Sequence, residues 1–151
     1  MDMTYPSWTY QGRIFNDITD FPKDTYGFIY EVVHQPSGMK YLGKKVLYFN
    51  RTLPPLKGQK RKRKVVKESD WKDYYGSHPK IKEYLQECKD TKEWQVWEKR
   101  ILEICMSKKE LTYFECKYLF INEVLEGRSH QYINDNILGK FYRKDFLHEA
   151  K

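Results

Sequence analysis

Two tyrosines, Tyr30 and Tyr41, stand eleven positions apart in the stretch GFIYEVVHQPSGMKYLGKK that runs from Gly27 to Lys45. A phenol accepts a proton only as phenolate, and its free pKa is about 10, so basic chemistry there asks for a nearby cation such as Lys44, Lys45 or an arginine. Much later in the chain, Glu115 falls inside the apolar series Leu111, Phe114, Tyr118, Leu119 and Leu125, four residues after one leucine and four before another. A carboxylate on a core-facing stripe loses hydration and persists only with a partner. The residue pattern leaves two partners open, a lysine or arginine in a buried ion pair and a metal ion. Glu110, Glu123 and Glu126 can face water instead.

The third chemical feature is a concentration of charge. Between Arg51 and Lys67 lie eight lysines and arginines and no acid: Arg51, Lys57, Lys60, Arg61, Lys62, Arg63, Lys64 and Lys67. The formal net charge is +7, so the rest of the chain is close to neutral and the positive field is local. A dense basic segment is the electrostatic footprint expected for a phosphate backbone, although a solvated loop has the same composition. Its place directly after the second of the two tyrosine-bearing strands favours the first reading.

Other classes are disfavoured. No run approaches the roughly 18 apolar residues of a membrane span, and MDMTYPSW lacks the basic and apolar regions of a secretory leader. The protein is expected to be soluble and cytoplasmic. Cys88, Cys105 and Cys116 form no CxxC pair and read as small buried hydrophobes. His34, His78, His130 and His148 show no HExxH or i, i+4 pairing, which argues against zinc. Lys44 and Lys45 follow Gly43, but GxxxxGK[ST] is absent and nucleotide hydrolysis is unsupported.

These residues need elements to hold them. Phe28–Val33 and Met39–Gly43 read as strands joined at Pro36-Ser37-Gly38, with Phe28, Tyr30 and Val32 on one face and Ile29, Glu31 and Val33 on the other. Trp8–Tyr10 and Arg13–Phe15 flank Gln11-Gly12 as a small hairpin. Pro54-Pro55 and Gly58 rule out regular structure across the middle of the basic segment, so it is expected to protrude as a loop or irregular hairpin. Ser77 or His78 can cap a helix over about residues 79–89, whose stripe is Ile81, Tyr84, Leu85 and Cys88. Residues 96–105 read as a third core strand with helix as the competing state. Ser107 and Glu110 resemble a capping box that opens the longest helix, over about 108–126, with Gly127 as its stop. Tyr132-Ile133-Asn134 sits where the chain would return to the sheet, and the tail around Phe141 and Tyr142 would cover the core edge or rest on nucleic acid.

Tyr30 within Phe-Ile-Tyr and Tyr41 within Tyr-Leu-Gly resemble the two halves of the GIY-YIG nuclease signature at that family's spacing. The departures are Phe28 in place of glycine, with Gly27 one residue earlier, and Leu42 in place of isoleucine. The Tyr-Leu-Gly-Lys-Lys continuation, the basic loop and Trp71 through Tyr74-Tyr75-Gly76-Ser77 look most like the small phage-encoded, homing-type (Seg-like) branch. The resemblance implies a single α/β (α+β) domain over residues 1–151, with a small, mainly antiparallel three-stranded sheet flanked by helices. Residues 1–25 would be an N-terminal hairpin extension and 51–67 a basic insertion.

It further implies a Mg²⁺- or Mn²⁺-dependent DNA endonuclease whose catalytic residues are Tyr30, Tyr41, Arg51, Glu115 and Asn134, with Glu115 as metal ligand. Arg61 and Arg63 compete with Arg51 for the arginine role. Lys44, Lys45, the basic segment and His78 would contact DNA. The chemistry suits these types: one carboxylate holds a hard cation, an arginine forks onto the phosphate, and a tyrosine orients or deprotonates water. Two other classes stay open, a noncatalytic nucleic-acid-binding protein on the same fold and a phage partner-binding or inhibitory protein.

Overall fold

The strand pair that carries the two tyrosines is longer than its apolar pattern implies. In the computed structural model, which describes residues 5–126 and 131–146, β3 spans Gly27–His34 and is buried along its whole length. Alternation sorts its side chains into two cores: Phe28, Tyr30 and Val32 enter one, Ile29 the other. The chain turns at Gly38, whose φ of 75° suits glycine, and returns antiparallel as β4, Met39–Val46. Tyr30 then lies opposite Gly43, and Val32 opposite Tyr41.

The segment readable as strand or helix is a strand, β7 (Trp97–Cys105), antiparallel to the other side of β3. Trp97, Lys99 and Ile101 point into the tyrosine-face core at a period of two, and Cys105, farther along, belongs to the opposite core. The N-terminal hairpin, β1 (Trp8–Tyr10) and β2 (Arg13–Phe15), docks on the open edge of β7, with β1 parallel to it. The sheet therefore has five strands in the order β2-β1-β7-β3-β4, mainly antiparallel, and the expected three are only its core. Burial drives the extension: Trp8 and Phe15 are 1% and 5% exposed, which an unattached hairpin could not achieve.

One helix packs on each face. Helix α1, Pro79–Thr91, puts Ile81 and Cys88 into the core of the tyrosine face, and α2, Lys108–Ile121, puts Leu111 and Leu119 into the opposite core. Ser107 caps α2 by accepting from the Glu110 N–H. The helix stops five residues short of the expected Glu126. The Asn122 amide donates to the Tyr118 carbonyl and Glu123 takes φ 52°, which folds Val124 and Leu125 back into the core. The expected stop, Gly127, lies outside the described residues.

The basic segment is an arm. Strands β5 (Tyr48–Leu53) and β6 (Arg63–Glu68) form a separate two-stranded sheet, and residues 54–62 join them without regular structure, as the prolines require. At the other end of the chain β8 (Asn136–Ile137) pairs with β9 (Phe141–Tyr142). The segment before it seals the free edge of β4: the Lys40 N–H donates to the Gln131 carbonyl and the Ile133 N–H to the Lys40 carbonyl. Arg143 holds that segment by donating to the carbonyls of Tyr132 and Asn134. All three cysteines are free, two of them buried, and burial pushes the Cys105 thiol up to about 12. Among the described residues no helix is long and apolar enough to cross a membrane.

One buried cation stands out in the aromatic core. Lys99 on β7 is 1% exposed; its amine lies 4.4 and 4.3 Å from the ring centroids of Trp8 and Tyr75 and donates to the Lys72 carbonyl. Burial pulls its pKa down to about 7, with Asp73 acting weakly the other way. Between that value and the unfolded value of about 10.4, the unfolded chain holds a proton that the native state has released, so stability rises with pH across this window. Urea unfolding from pH 6.5 to 10.5 is expected to show this rise, amounting to a few kcal/mol, and Lys99→Met to lack it. Equal pH dependence in both proteins would assign the effect elsewhere.

Candidate active site

Tyr41 meets the glutamate at the β4 edge of the sheet. Tyr41, Lys44, Ser77, His78, Glu115, Asn134 and Asp135 line a cleft of about 460 Å³ there, with Leu42, Asn136 and Gly139 completing its wall. An edge is where this can happen: β4 alternates, so Tyr41 belongs to the α1 face and Lys44 to the α2 face, and only at the last strand can groups from both faces share one opening.

Tyr30 approaches from β3. The register with β7 slips beside it, where Ile29 faces Glu103 but Tyr30 faces Ile101, leaving Leu102 as the extra residue of a bulge. The Tyr118 hydroxyl donates to the Leu102 carbonyl. Tyr30 then lies across Gly43, where a Cβ would come within 2.6 Å of its hydroxyl oxygen. Its ring is 6.3 Å from that of Tyr41 and 5.9 Å, edge-on, from that of Tyr74. Gly76 has a parallel role with an added backbone demand: its φ is 119°, and a Cβ would meet Ile81 at 2.8 Å and Tyr41 at 3.0 Å.

Both phenols are held protonated, contrary to the expectation that Lys44 and Lys45 lower their pKa. Burial raises Tyr30 well above 10, and the Tyr74, Tyr41 and Glu115 groups add to the shift. Tyr41 is also raised, by burial first; a hydrogen bond with Ser77 acts the other way, and Glu115 adds to the rise. The lysines are engaged elsewhere. Lys44 points to the α2 face, 3.7 Å from Glu115. Lys45 is buried, with its amine 2.6 Å from Asp70 and 3.9 Å from the Tyr74 ring centroid, so it is not presented to a ligand.

Glu115 keeps its place between Leu111 and Leu119, which are 2% and 4% exposed, while its own side chain is 19% exposed. Burial raises its pKa, and Lys44 only partly opposes this. The ion pair foreseen for a buried carboxylate exists, but it is long and its lysine is 40% exposed. Among the described residues no three His, Cys, Asp or Glu side chains group as metal ligands. Of the two carboxylates that line the cleft, Asp135 is paired with His78 and Glu115 has only the long Lys44 contact, which fits a hard cation that binds through one or two carboxylates and keeps several waters.

Asn134 lines the cleft but spends its amide on the backbone, donating to the Leu42 carbonyl at 2.7 Å and accepting from the Leu42 N–H at 3.1 Å. It holds β4 in place. His78 caps α1, its Nδ1 accepting from the Lys80 N–H and its Nε2 lying 3.0 Å from Asp135. Arg51 is not part of this lining; it sits on β5 opposite Val65, exposed on the arm. Lys57, Lys60, Arg61 and Lys62 are exposed between the arm's strands, and Arg63, Lys64 and Lys67 are exposed on β6. Sequence reasoning did not single out Tyr74, Ser77 or Asp135 as site residues. The only signal was Tyr-Tyr-Gly-Ser immediately before a helix cap, which placed a turn but not the Tyr41 contact.

A comparison with protein families matches residues 8–137 to the one described as "Putative endonuclease segE, GIY-YIG domain". The chain belongs to the GIY-YIG endonuclease family, in its segE-type branch. Neither a curated protein nor a solved structure matches it. The two GIY-YIG half-motifs are thus the facing strands β3 and β4, and the glycine of the second is Gly43, over which the tyrosine of the first lies.

That contact has a measurable consequence. Gly43→Ala is expected to destabilise the fold by about 1–3 kcal/mol through overpacking. Tyr30→Phe removes the oxygen nearest the new methyl, so the double variant should recover part of the loss. A double-mutant cycle by urea unfolding with no coupling between the two positions would contradict the geometry.

Proposed function

We propose that this GIY-YIG domain is a divalent-cation-dependent DNA endonuclease whose centre is the β4 edge cleft. The carrying observation is Glu115, a largely desolvated carboxylate with one long lysine contact, opening onto the same cleft as the Tyr41 hydroxyl. Glu115 would hold Mg²⁺ or Mn²⁺, which when bound supplies positive charge to nonbridging phosphate oxygens. Lys44 stands at the same mouth and would neutralise the substrate's charge beside Glu115. Tyr41, the less buried phenol and the one bonded to Ser77, orients the attacking water and, in the fraction present as phenolate, takes its proton to become the neutral phenol; Tyr30 packs behind it as a positioning residue. Asn134 keeps the strand carrying Tyr41 and Lys44 in place. The arm brings the phosphate backbone to the cleft, and Arg51, at its root half, serves the phosphate once DNA is bound. A homing-type role adds the requirement that cutting be confined to few sites.

Plasmid nicking tests the proposal directly. The wild-type protein should cut with Mg²⁺ or Mn²⁺ and not with EDTA, and Glu115→Gln should lose cleavage by at least about a hundredfold while remaining folded and bound to DNA. DNA binding by both proteins with cleavage by neither would leave a binding domain on a nuclease fold.

The pKa directions give a second test. Both phenols ionise above 10, so the phenolate fraction grows about tenfold per pH unit below that. Single-turnover cleavage should rise with a log-rate slope near one from about pH 7 to 9, and Tyr41→Phe should abolish the slope along with most of the rate. A flat wild-type profile would assign proton transfer to another group.

A further inference from the structure

We propose that the arm is a sequence reader with its two jobs divided between its faces: one face reads base edges in the major groove and the other grips phosphates. The inference rests on the DNA reading above and adds to it the residues that choose the site.

The register of β5 against β6 fixes the division. Directly opposed residues share a face, and alternate pairs change face. Phe49↔Lys67, Arg51↔Val65 and Leu53↔Arg63 make one face, and Tyr48↔Glu68, Asn50↔Val66 and Thr52↔Lys64 make the other. The first holds three cations and no acid. The second holds one cation and one acid, together with an amide, a hydroxyl, a phenol and the valine methyls.

The neutral face carries side chains that discriminate bases. An amide pairs with the adenine edge, a lysine with the guanine edge, a hydroxyl with either, and apolar groups with the thymine methyl. Among the described residues the side chains of Asn50, Thr52 and Lys64 make no hydrogen bond or ion pair within the protein, and Val66 is 64% exposed. Every residue of β6 is exposed, so the ribbon stands clear of the body. A two-stranded ribbon of this kind fits the major groove, which is about 12 Å wide.

At the root both faces touch the domain: the Phe49 ring centroid on the cationic face is 5.1 Å from the Lys45 amine, and Glu68 on the neutral face accepts from the Trp71 indole N–H at 2.9 Å, so the pairs beyond the root, Asn50↔Val66 and Thr52↔Lys64, are the part of the neutral face left for a ligand. With the neutral face on the groove floor, the long stems of Arg63 and Lys67 reach sideways to the flanking phosphates. The pairs Asn50↔Val66 and Thr52↔Lys64 are two residues apart, about 7 Å along the ribbon, which spans about two base-pair steps of 3.4 Å. The arm therefore specifies a short run of about two or three base pairs.

Selection of bound duplexes from a randomised pool, in EDTA so that no cleavage is needed, tests this. Wild-type protein should enrich one short run, with each mismatch costing about fivefold to a hundredfold in affinity. Asn50→Ser with Val66→Thr should lose that enrichment while keeping the melting temperature and the salt dependence of binding. Arg63→Gln with Lys67→Gln should keep the preference, bind more weakly on every sequence, and lower the slope of log affinity against log salt by about two. Binding without preference, or a preference unchanged by the Asn50 and Val66 substitutions, overturns the proposal while leaving the nuclease reading intact. No binding to any duplex by the wild-type protein overturns both.

Discussion

The cross-strand contact between Tyr30 and Gly43 is the constraint on which the rest of the site depends. Because side chains alternate along a strand, this one pairing determines that Tyr30, Tyr41 and Gly43 share a face and that Lys44 is sent to the other. A slip of one residue would put Lys44 opposite Tyr30 and turn the phenols away from each other. Three features hold the register. The bulge at Leu102 re-aims β3 beside Tyr30, the Asn134 amide clamps both backbone groups of Leu42, and Arg143 in turn holds the strand segment that presents Asn134. The last two come from the C-terminal part of the chain, so the nuclease signature near the N-terminus is kept in register by residues about a hundred positions away.

Glu115 shows how the chain outside the basic arm, which is nearly neutral, keeps one carboxylate reachable. Full burial without a partner would leave it protonated, and a tight buried ion pair would consume it. The structure takes a middle course, in which burial outweighs Lys44 and the pKa moves up, yet the cleft leaves the oxygens reachable. The same carboxylate raises both tyrosines, so anything that neutralises Glu115 also eases their ionisation. Glutamate and phenols are therefore coupled by charge across the edge of the sheet, although they stand on opposite faces.

What could be read from sequence was what depends on local pattern. The period of two gave the strands and the face of Tyr30, the prolines at 54 and 55 gave the break in the arm, and the leucines around Glu115 showed that its hydration is lost. What could not be read was what depends on docking. Trp8 and Phe15 reveal a hairpin but not that it adds to the edge of β7, so the sheet appeared as three strands and not five. Asn122 looks like any polar helix residue until its amide turns back onto Tyr118 and ends α2. Lys44 and Lys45 are adjacent and alike in sequence, and only the pleat sends one to Glu115 and the other to Asp70. Asn134 likewise reads as a functional amide until both of its ends are found on Leu42.

The separation of the arm's charge from the cleft has an electrostatic reason. Cations packed around Glu115 would pair with it and leave its oxygens unreachable. The arm's cations stand outside the cleft lining, on a ribbon of about 20 Å, and charges separated by more than roughly 8 Å at physiological ionic strength are largely screened from one another. Such an arm is useful only if its root is fixed relative to the site. Lys45, two residues beyond Gly43, pairs with Asp70 across the root while its amine also covers Tyr74, and Ser69 donates from its backbone and its hydroxyl to the carbonyls of Leu47 and Val46. The buried Lys45 thus sets where the exposed cations of the arm stand, because it ties the root of the arm to the ring against which Tyr30 packs.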